Sequence, residues 1–195
     1  MTEVTIRPAG PQDAADLARL DNIAGHGFTN WYWSKRAEEQ GNSNPVAMAQ
    51  KAMADPEYQS GWKQTVLAMK EGEVAGGANG YLMVVDQKMG TPSKEPVFEP
   101  VRQLFAQTAG DWLVDWLAVY EKWQGRGIGA CLLDACLARA KGVSSRISLV
   151  VEDANRPALA LYKSRGFQQR DQRPYIPFNT TSKTKNWLLL SAPVM

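Results

Sequence analysis

Histidine and cysteine are almost missing from this chain, which has His26 as its one histidine and Cys131 and Cys136 as its two cysteines. Soft-metal sites draw on clusters of those side chains, so no metal is expected. The two cysteines stand five residues apart in what reads as one helix. They lie roughly 140° apart around its axis and are expected as buried free thiols rather than a bridge. Neither sign of charge prevails: 22 Lys and Arg oppose 20 Asp and Glu, a net charge of +2. That balance argues against nucleic acid as the main partner. No apolar run approaches the roughly 18 residues of a membrane span. The opening residues Met1–Arg7 carry no leader pattern, so a cytoplasmic chain with no membrane partner is expected. Repeats and low-complexity tracts are also missing. What is present is an ordinary globular balance, 44% hydrophobic and 22% charged over 195 residues. It predicts a single domain over residues 1–195.

Periodicity divides the chain. A short strand at Val4–Arg7 turns through Pro8-Ala9-Gly10-Pro11 into a helix striped with Ala14, Leu17, Ala18 and Leu20. Residues 25–62 scatter Phe28, Trp31, Tyr32, Trp33, Tyr58 and Trp62 among polar residues, which suggests helices under an aromatic-rich surface. Gln64–Met69 and Val74–Val85 form a hairpin about Lys70-Glu71-Gly72-Glu73. Residues 86–110 begin as a Pro- and Gly-rich loop and close with a short helix near Val101–Gln107. Trp112–Val119 is a strong strand, and Gly127–Lys141 a strong helix ending at Gly142. Ile147–Val151 reads as a strand buried on both faces. Asn155–Arg165 is a helix stopped by Gly166, followed by strands at Phe167–Arg170 and Asn186–Val194. The order predicts one mixed α/β sheet with helices on both faces.

The most informative segment is Gln124-Gly125-Arg126-Gly127-Ile128-Gly129-Ala130. A strand delivers the chain to glycines that leave backbone N–H groups bare, and a helix then points its positive end at the same spot. An anion such as a pyrophosphate suits that arrangement. Three readings compete. Glycines can simply make a tight turn. Gly125, Gly127 and Ala130 also fit the dinucleotide pattern G-x-G-x-x-A, although Tyr120–Gln124 separate the strand from the first glycine. The third reading is an acyl-CoA loop. Gln124–Gly129, after Leu117-Ala118-Val119 and before Leu132-Leu133, resembles the Q/R-x-x-G-x-G/A signature of the GNAT superfamily of N-acetyltransferases.

A second segment resembles the other hallmark of that superfamily, N-x-x-A-x-x-L-Y-x-x-x-G-F: Asn155, Ala158, Leu161, Tyr162, Gly166 and Phe167 fill every fixed position. Physics agrees with a helix here. Asn155 is a good N-cap, Pro157 is tolerated in the first turn and Gly166 is a natural stop. Ala158 and Tyr162 share a face. The resemblance covers roughly residues 2–20 and 64–194 and is most specific over 111–167. Residues 25–62 and 86–110 follow no family pattern and stand where the family builds its acceptor side.

The resemblance implies a mixed, mostly antiparallel sheet of about seven strands. It implies acetyl-CoA as co-substrate, no metal, and transfer of acetyl to a primary amine by direct attack in a ternary complex. Backbone N–H groups of Leu117 and Val119 would meet pantetheine and the acyl oxygen. Those of Gln124, Gly125, Arg126, Gly127 and Gly129, with Ala130 at the rim, would take the pyrophosphate. Lys122 and Arg126 can add charge. Asn155 serves as cap and ligand contact, and Tyr162 returns a proton to the departing thiolate.

The base stays open. Asp115 shares a strand face with Leu113 and Leu117, where a carboxylate among tryptophans and leucines has a raised pKa. Asp111, Glu152 and a water chain are alternatives, and His26 reads as structural. The aromatics of residues 28–33 and Trp62 favour a small organic amine over a protein substrate. A homodimer is compatible with the sequence. Competing functions are a non-catalytic acyl-CoA sensor and an NAD-dependent oxidoreductase.

Overall fold

The computed structural model describes residues 3–41, 44–84, 92–178 and 182–195. Seven strands form one sheet in the order β1-β2-β3-β4-β5-β7-β6. In chain order they are β1 Thr5–Pro8, β2 Thr65–Lys70, β3 Glu73–Leu82, β4 Trp112–Val119, β5 Arg146–Glu152, β6 Gln168–Pro174 and β7 Asn186–Pro193. The helices are α1 Ala14–Ala24, α2 Phe28–Glu39, α3 Pro45–Ala54, α4 Glu99–Phe105, α5 Ile128–Ala140 and α6 Arg156–Ser164. Strand pairing is antiparallel for β1–β2, β2–β3, β5–β7 and β6–β7, and parallel for β4–β5. The mixed α/β, mostly antiparallel sheet expected from the sequence is therefore present. The contacts divide the chain into two compact units, residues 1–80 with 115–136, and residues 81–114 with 137–195.

The first unit has a core of Leu17 and Leu20 from α1, Met53 from α3, Leu67 from β2, and Trp116 and Ala118 from β4. Leu17 and Leu20 fall three apart on one helix face and are both fully buried, worth about 1.5–3 kcal/mol each. Arg7 of β1 donates two parallel 2.8 Å hydrogen bonds to Asp13, which fastens the strand to the entry of α1. The hairpin turn of β2–β3 takes positive φ at Glu71 and Gly72, as a two-residue turn between right-twisted strands requires. Gly76 has a different reason to be glycine. A Cβ there would lie 2.6 Å from the Ala118 carbonyl oxygen, so β3 carries no side chain at its closest approach to β4.

The second unit is built on β5 and β7, whose Ile147, Leu149, Leu189 and Leu190 are buried. At the sheet edge β6 is polar and mostly exposed, as edge strands tend to be. It runs to Pro174, beyond the expected Arg170. Its polar sequence has no alternation to reveal it, and pairing with β7 decides its length.

Three expectations shift in detail and a fourth lies partly outside the described residues. Cys136 is buried but Cys131 is exposed, so only one of the two thiols lies in the core. The second hairpin strand ends at Leu82, and Val85 lies outside the described residues. Part of the loop expected from residue 86 lies outside them as well. The following helix starts earlier than expected, at Glu99, after a three-ten turn at Pro96–Phe98.

Candidate functional site

In the first unit the chain leaves β4 at Val119 and makes a three-ten turn, Glu121–Trp123, before reaching the glycines. Gly125 and Gly127 have φ of 71° and 80°, a backbone form that costs other residues about 1–2 kcal/mol. A Cβ at either position would meet nothing within 4 Å. These glycines therefore satisfy the backbone and leave open space above it. Helix α5 starts at Ile128, and the Cys131 N–H closes on the Gly127 carbonyl at 3.1 Å. The N–H groups of the first turn of α5 have no carbonyl one helical turn earlier within the helix to pair with. They are the bare donors of a helix start, with the positive end of its dipole behind them.

Gln124 behaves differently from its neighbours. Its N–H donates to the Glu121 carbonyl at 3.1 Å and its side-chain amide to the Val119 carbonyl at 3.0 Å, so it braces the turn from both ends. Beside the turn stands Trp123, buried, with three cations over its ring: Arg126 at 5.1 Å, Lys122 at 5.3 Å and Lys70 at 5.9 Å. Lys122 is also paired with Glu73. Lys70 comes from the end of β2, and nothing local in the sequence ties it to the glycine turn.

Midway along β4 the electrostatics reverse. Asp115 and Asp21 of α1 lie deep among protein atoms, although each keeps a partly exposed edge. Burial raises the Asp115 pKa, opposed by a 2.5 Å hydrogen bond from Ser60 Oγ. Burial and then the Asp115 charge push Asp21 up to about 7, opposed by a hydrogen bond from Thr29 Oγ1. Burial, followed by the two carboxylates, also raises the pKa of Tyr58, which is hydrogen-bonded to Ser60. The backbone around Ser60 is held at three successive carbonyls. Trp116 Nε1 donates to the Ser60 carbonyl at 3.2 Å, and the fully buried Asn79 amide reaches the Gln59 and Gly61 carbonyls at 3.2 Å each. Of this group the sequence pointed only to Asp115. Asp21, Ser60 and Asn79 gave no signal, because the fold brings them together from separate elements. Leu117 and Val119 are half-buried on the same strand.

The second unit holds Tyr162, buried on α6 and packed against Phe167 with ring centroids 5.7 Å apart. Asn155 caps that helix through a 3.3 Å bond from the Ala158 N–H, as its sequence position predicts. The alternative carboxylates have structural partners. Asp111 accepts from Ser148 at 2.6 Å and from Arg170 at 3.0 Å, and Glu152 accepts from Thr184 at 3.1 Å. His26, on the exposed turn between α1 and α2, has φ of 48°. Among the described residues no group of three or more His, Cys, Asp or Glu could hold a metal ion. No helix there is long and apolar enough to cross a membrane.

Comparison with known proteins follows this geometry. No curated protein matches the chain significantly. Among solved structures, an acetyltransferase aligns at 24% identity and TM-score 0.67, covering 98% of this chain and all of the other. The ribosomal-protein-S18-alanine N-acetyltransferase from Escherichia coli aligns at 19% identity and TM-score 0.61, covering 98% and 94%. The Salmonella typhimurium protein yncA, solved with its cofactor acetyl-CoA, aligns at 16% identity and TM-score 0.59, covering 99% and 95%. At these identities the likeness is one of fold. The family evidence is separate: the sequence model of the acetyltransferase (GNAT) family matches residues 26–167, most of the chain and both glycine-bearing motifs. The chain belongs to the acetyltransferase (GNAT) family.

Proposed function

We propose that this protein transfers an acetyl group from acetyl-CoA to a primary amine by direct attack in a ternary complex. The observation that carries the reading is the start of α5. There Gly125 and Gly127 at positive φ lead into the first-turn N–H groups that a helix start leaves without intrahelical partners, beside Lys70, Lys122 and Arg126. A pyrophosphate supplies the acceptor oxygens and negative charge that such a helix start needs. The open space over both glycines fits it. Gly125, Arg126, Gly127 and Gly129 donate from the backbone, with Ala130 at the rim, and Gln124 acts by bracing the turn. The backbone N–H groups of Leu117 and Val119 are assigned to pantetheine and the thioester oxygen.

Chemically, the acceptor arrives as an ammonium with a pKa near 10 and must lose a proton before its lone pair can attack. Asp115 is assigned as base, and its raised pKa brings it closer to that of the proton donor. The amine nitrogen then bonds to the acyl carbon, and the carbon–sulfur bond breaks. The sulfur leaves as thiolate and takes a proton from the Tyr162 hydroxyl. The second proton of the acylated nitrogen passes through solvent to the phenolate, and Asp115 returns its proton to water. The products are an amide and free CoA. Because Tyr162 packs on Phe167, Tyr162→Phe removes the hydroxyl and leaves the ring in place.

Tyr162→Phe is expected to lower kcat by about a hundredfold, near the low end for a general acid, with little change in KM for acetyl-CoA. Steady-state kinetics beside a thermal melt checks this. An unchanged kcat, with chemistry limiting turnover, removes Tyr162 from the reaction, whereas a large fall in melting temperature makes its role one of packing.

A further inference from the structure

Tyr120 stands between the two sets of backbone donors assigned to acyl-CoA. Leu117 and Val119 precede it on β4, and the glycine turn follows it. One ligand engages both sets well only if their spacing is fixed beforehand, since ordering them on binding costs affinity. The turn's own hydrogen bonds do not fix that spacing. The Trp123 N–H donates to the Tyr120 carbonyl at 2.8 Å, the Gln124 N–H to Glu121 and the Gln124 side chain to Val119, all within residues 119–124. They shape the turn and leave its angle to the sheet open. Lys122 pairs with Glu73 of β3, but both side chains are exposed and such a pair holds weakly. Trp123 is buried, yet its indole N–H has no partner among the described residues, so it contributes packing, which has no direction.

Tyr120 supplies directed links to two other elements. Its N–H donates to the Ala75 carbonyl of β3 at 3.0 Å, beside Gly76, whose missing side chain lets β3 and β4 touch. Its hydroxyl donates to Asp16 Oδ1 of α1 at 2.6 Å, 104 residues away in the chain, and Arg19 hydrogen-bonds the same phenol. Helix α1 is a firm post for this contact. Leu17 and Leu20 are fully buried, and Arg7 with Asp13 fastens its start. Burial raises the phenol pKa, Asp16 adds to the rise and Arg19 opposes it, so the hydroxyl keeps its proton and stays a donor at neutral pH. An aromatic needed only for packing requires none of this, because phenylalanine would fill the same half-buried space.

We infer that Tyr120 is a positioning residue for the cofactor: its hydroxyl, held by Asp16 and Arg19, sets the angle of the glycine turn to β4 so that one acyl-CoA meets both sets of donors. This rests on the acetyl-CoA reading above and deepens it by adding α1 to the parts that determine cofactor affinity. Tyr120 touches no reacting atom. A ligand that engages the turn alone is indifferent to the angle, because the turn keeps its own hydrogen bonds. Acyl-CoA spans from pyrophosphate to thioester, and so loses affinity when the joint between the two sets loosens.

The test compares CoA with 3′-phospho-ADP, which carries the pyrophosphate and lacks pantetheine. Binding of each is read by calorimetry on wild type, Tyr120→Phe, Asp16→Ala and the double variant. Tyr120→Phe is expected to raise the CoA Kd about fivefold to tenfold, and the Kd of 3′-phospho-ADP by less than about twofold. Asp16→Ala removes the same contact from the side of α1 and should match it, which covers the case in which Tyr120→Phe does not fold. The double variant should lose no more than either single one, because both remove one hydrogen bond. Asp16→Asn keeps an acceptor for the hydroxyl and should recover part of the loss. An unchanged CoA Kd in Tyr120→Phe, or additive losses in the double variant, overturns the inference. Equal losses for the two ligands also overturn it and make the role one of general packing. No binding of CoA to the wild type overturns the acetyl-CoA reading on which the inference rests.

Discussion

The end of β4 and its middle lead to polar regions of opposite construction. Beyond Val119 the turn is cationic and made by backbone: two positive-φ glycines, a helix start, and Lys70, Lys122 and Arg126 around Trp123. At Asp115 the surroundings are anionic and made by side chains, with Asp21, Ser60, Thr29 and Tyr58 converging from separate elements. The first arrangement is encoded within a few consecutive residues, the second only by the completed fold. The cationic turn tolerates open space because its donors belong to the main chain. The anionic region depends on enclosure, which raises the pKa of each carboxylate and makes the pair sensitive to pH.

The cationic turn breaks most completely at Gly127. Gly127→Glu forces a side chain into positive φ and sets a negative charge at the helix start. CoA affinity is expected to fall by at least about a hundredfold. Since a Cβ there meets nothing within 4 Å, the fold should survive, with a stability loss of about 1–2 kcal/mol. Calorimetric titration with CoA beside a melt separates the two effects, and retained affinity would move the phosphates to another place.

The anionic region answers to pH with a definite sign. Asp21 has a folded pKa of about 7, above the unfolded value near 3.9, so the folded protein holds the extra proton between the two. Its contribution to stability is complete below about pH 4 and is lost as pH rises through about 7. Asp21→Asn is therefore expected to melt above wild type by about 1–3 kcal/mol at pH 8, with the gain vanishing near pH 4. Asp13 provides the contrast: hydrogen bonding to Arg7 lowers its pKa, so its contribution is lost only as pH falls below the usual carboxylate range. A melt series from pH 4 to pH 8 on both proteins checks this, and a pH-independent difference would show that Asp21 does not titrate.

The smallest effects belong to the cations around Trp123. Lys70→Ala and Arg126→Ala are each expected to weaken CoA binding a few-fold, and less at high salt, because exposed charges are screened. Lys122→Ala should do less still, since Glu73 already competes for that ammonium. Equal losses for all three in 0.5 M salt would point to packing on the indole rather than charge.

The same contrast explains how much could be read from the sequence. The strand–glycine–helix run at residues 112–141 and the capped helix at 155–166 were legible because local chemistry determines them. Positive φ at Gly127 and Gly166 admits few residues other than glycine, and the Asn155 side chain caps the next turn. The apolar run Trp112–Val119 was legible as β4, and the structure puts Asp115 on its less buried face. Asp21 was hidden because its setting comes from the approach of β4, and an aspartate on an amphipathic helix ordinarily faces water. Ser60 was hidden for a similar reason, being aligned by Trp116 and Asn79. Strand β6 was expected but ended too early, at Arg170 rather than Pro174, because a polar edge strand has no alternation to mark its end.

Acetyl transfer itself is tested most directly by following both products at once. CoA release and acetylated amine are measured in initial-rate experiments with acetyl-CoA and phenethylamine or cadaverine varied together, on wild type and Asp115→Asn. Direct attack in a ternary complex predicts equal amounts of the two products, intersecting reciprocal plots, and a kcat lowered about a hundredfold in Asp115→Asn. Tight CoA binding with no amine-dependent CoA release would contradict it, and would leave a protein that holds acyl-CoA without using it.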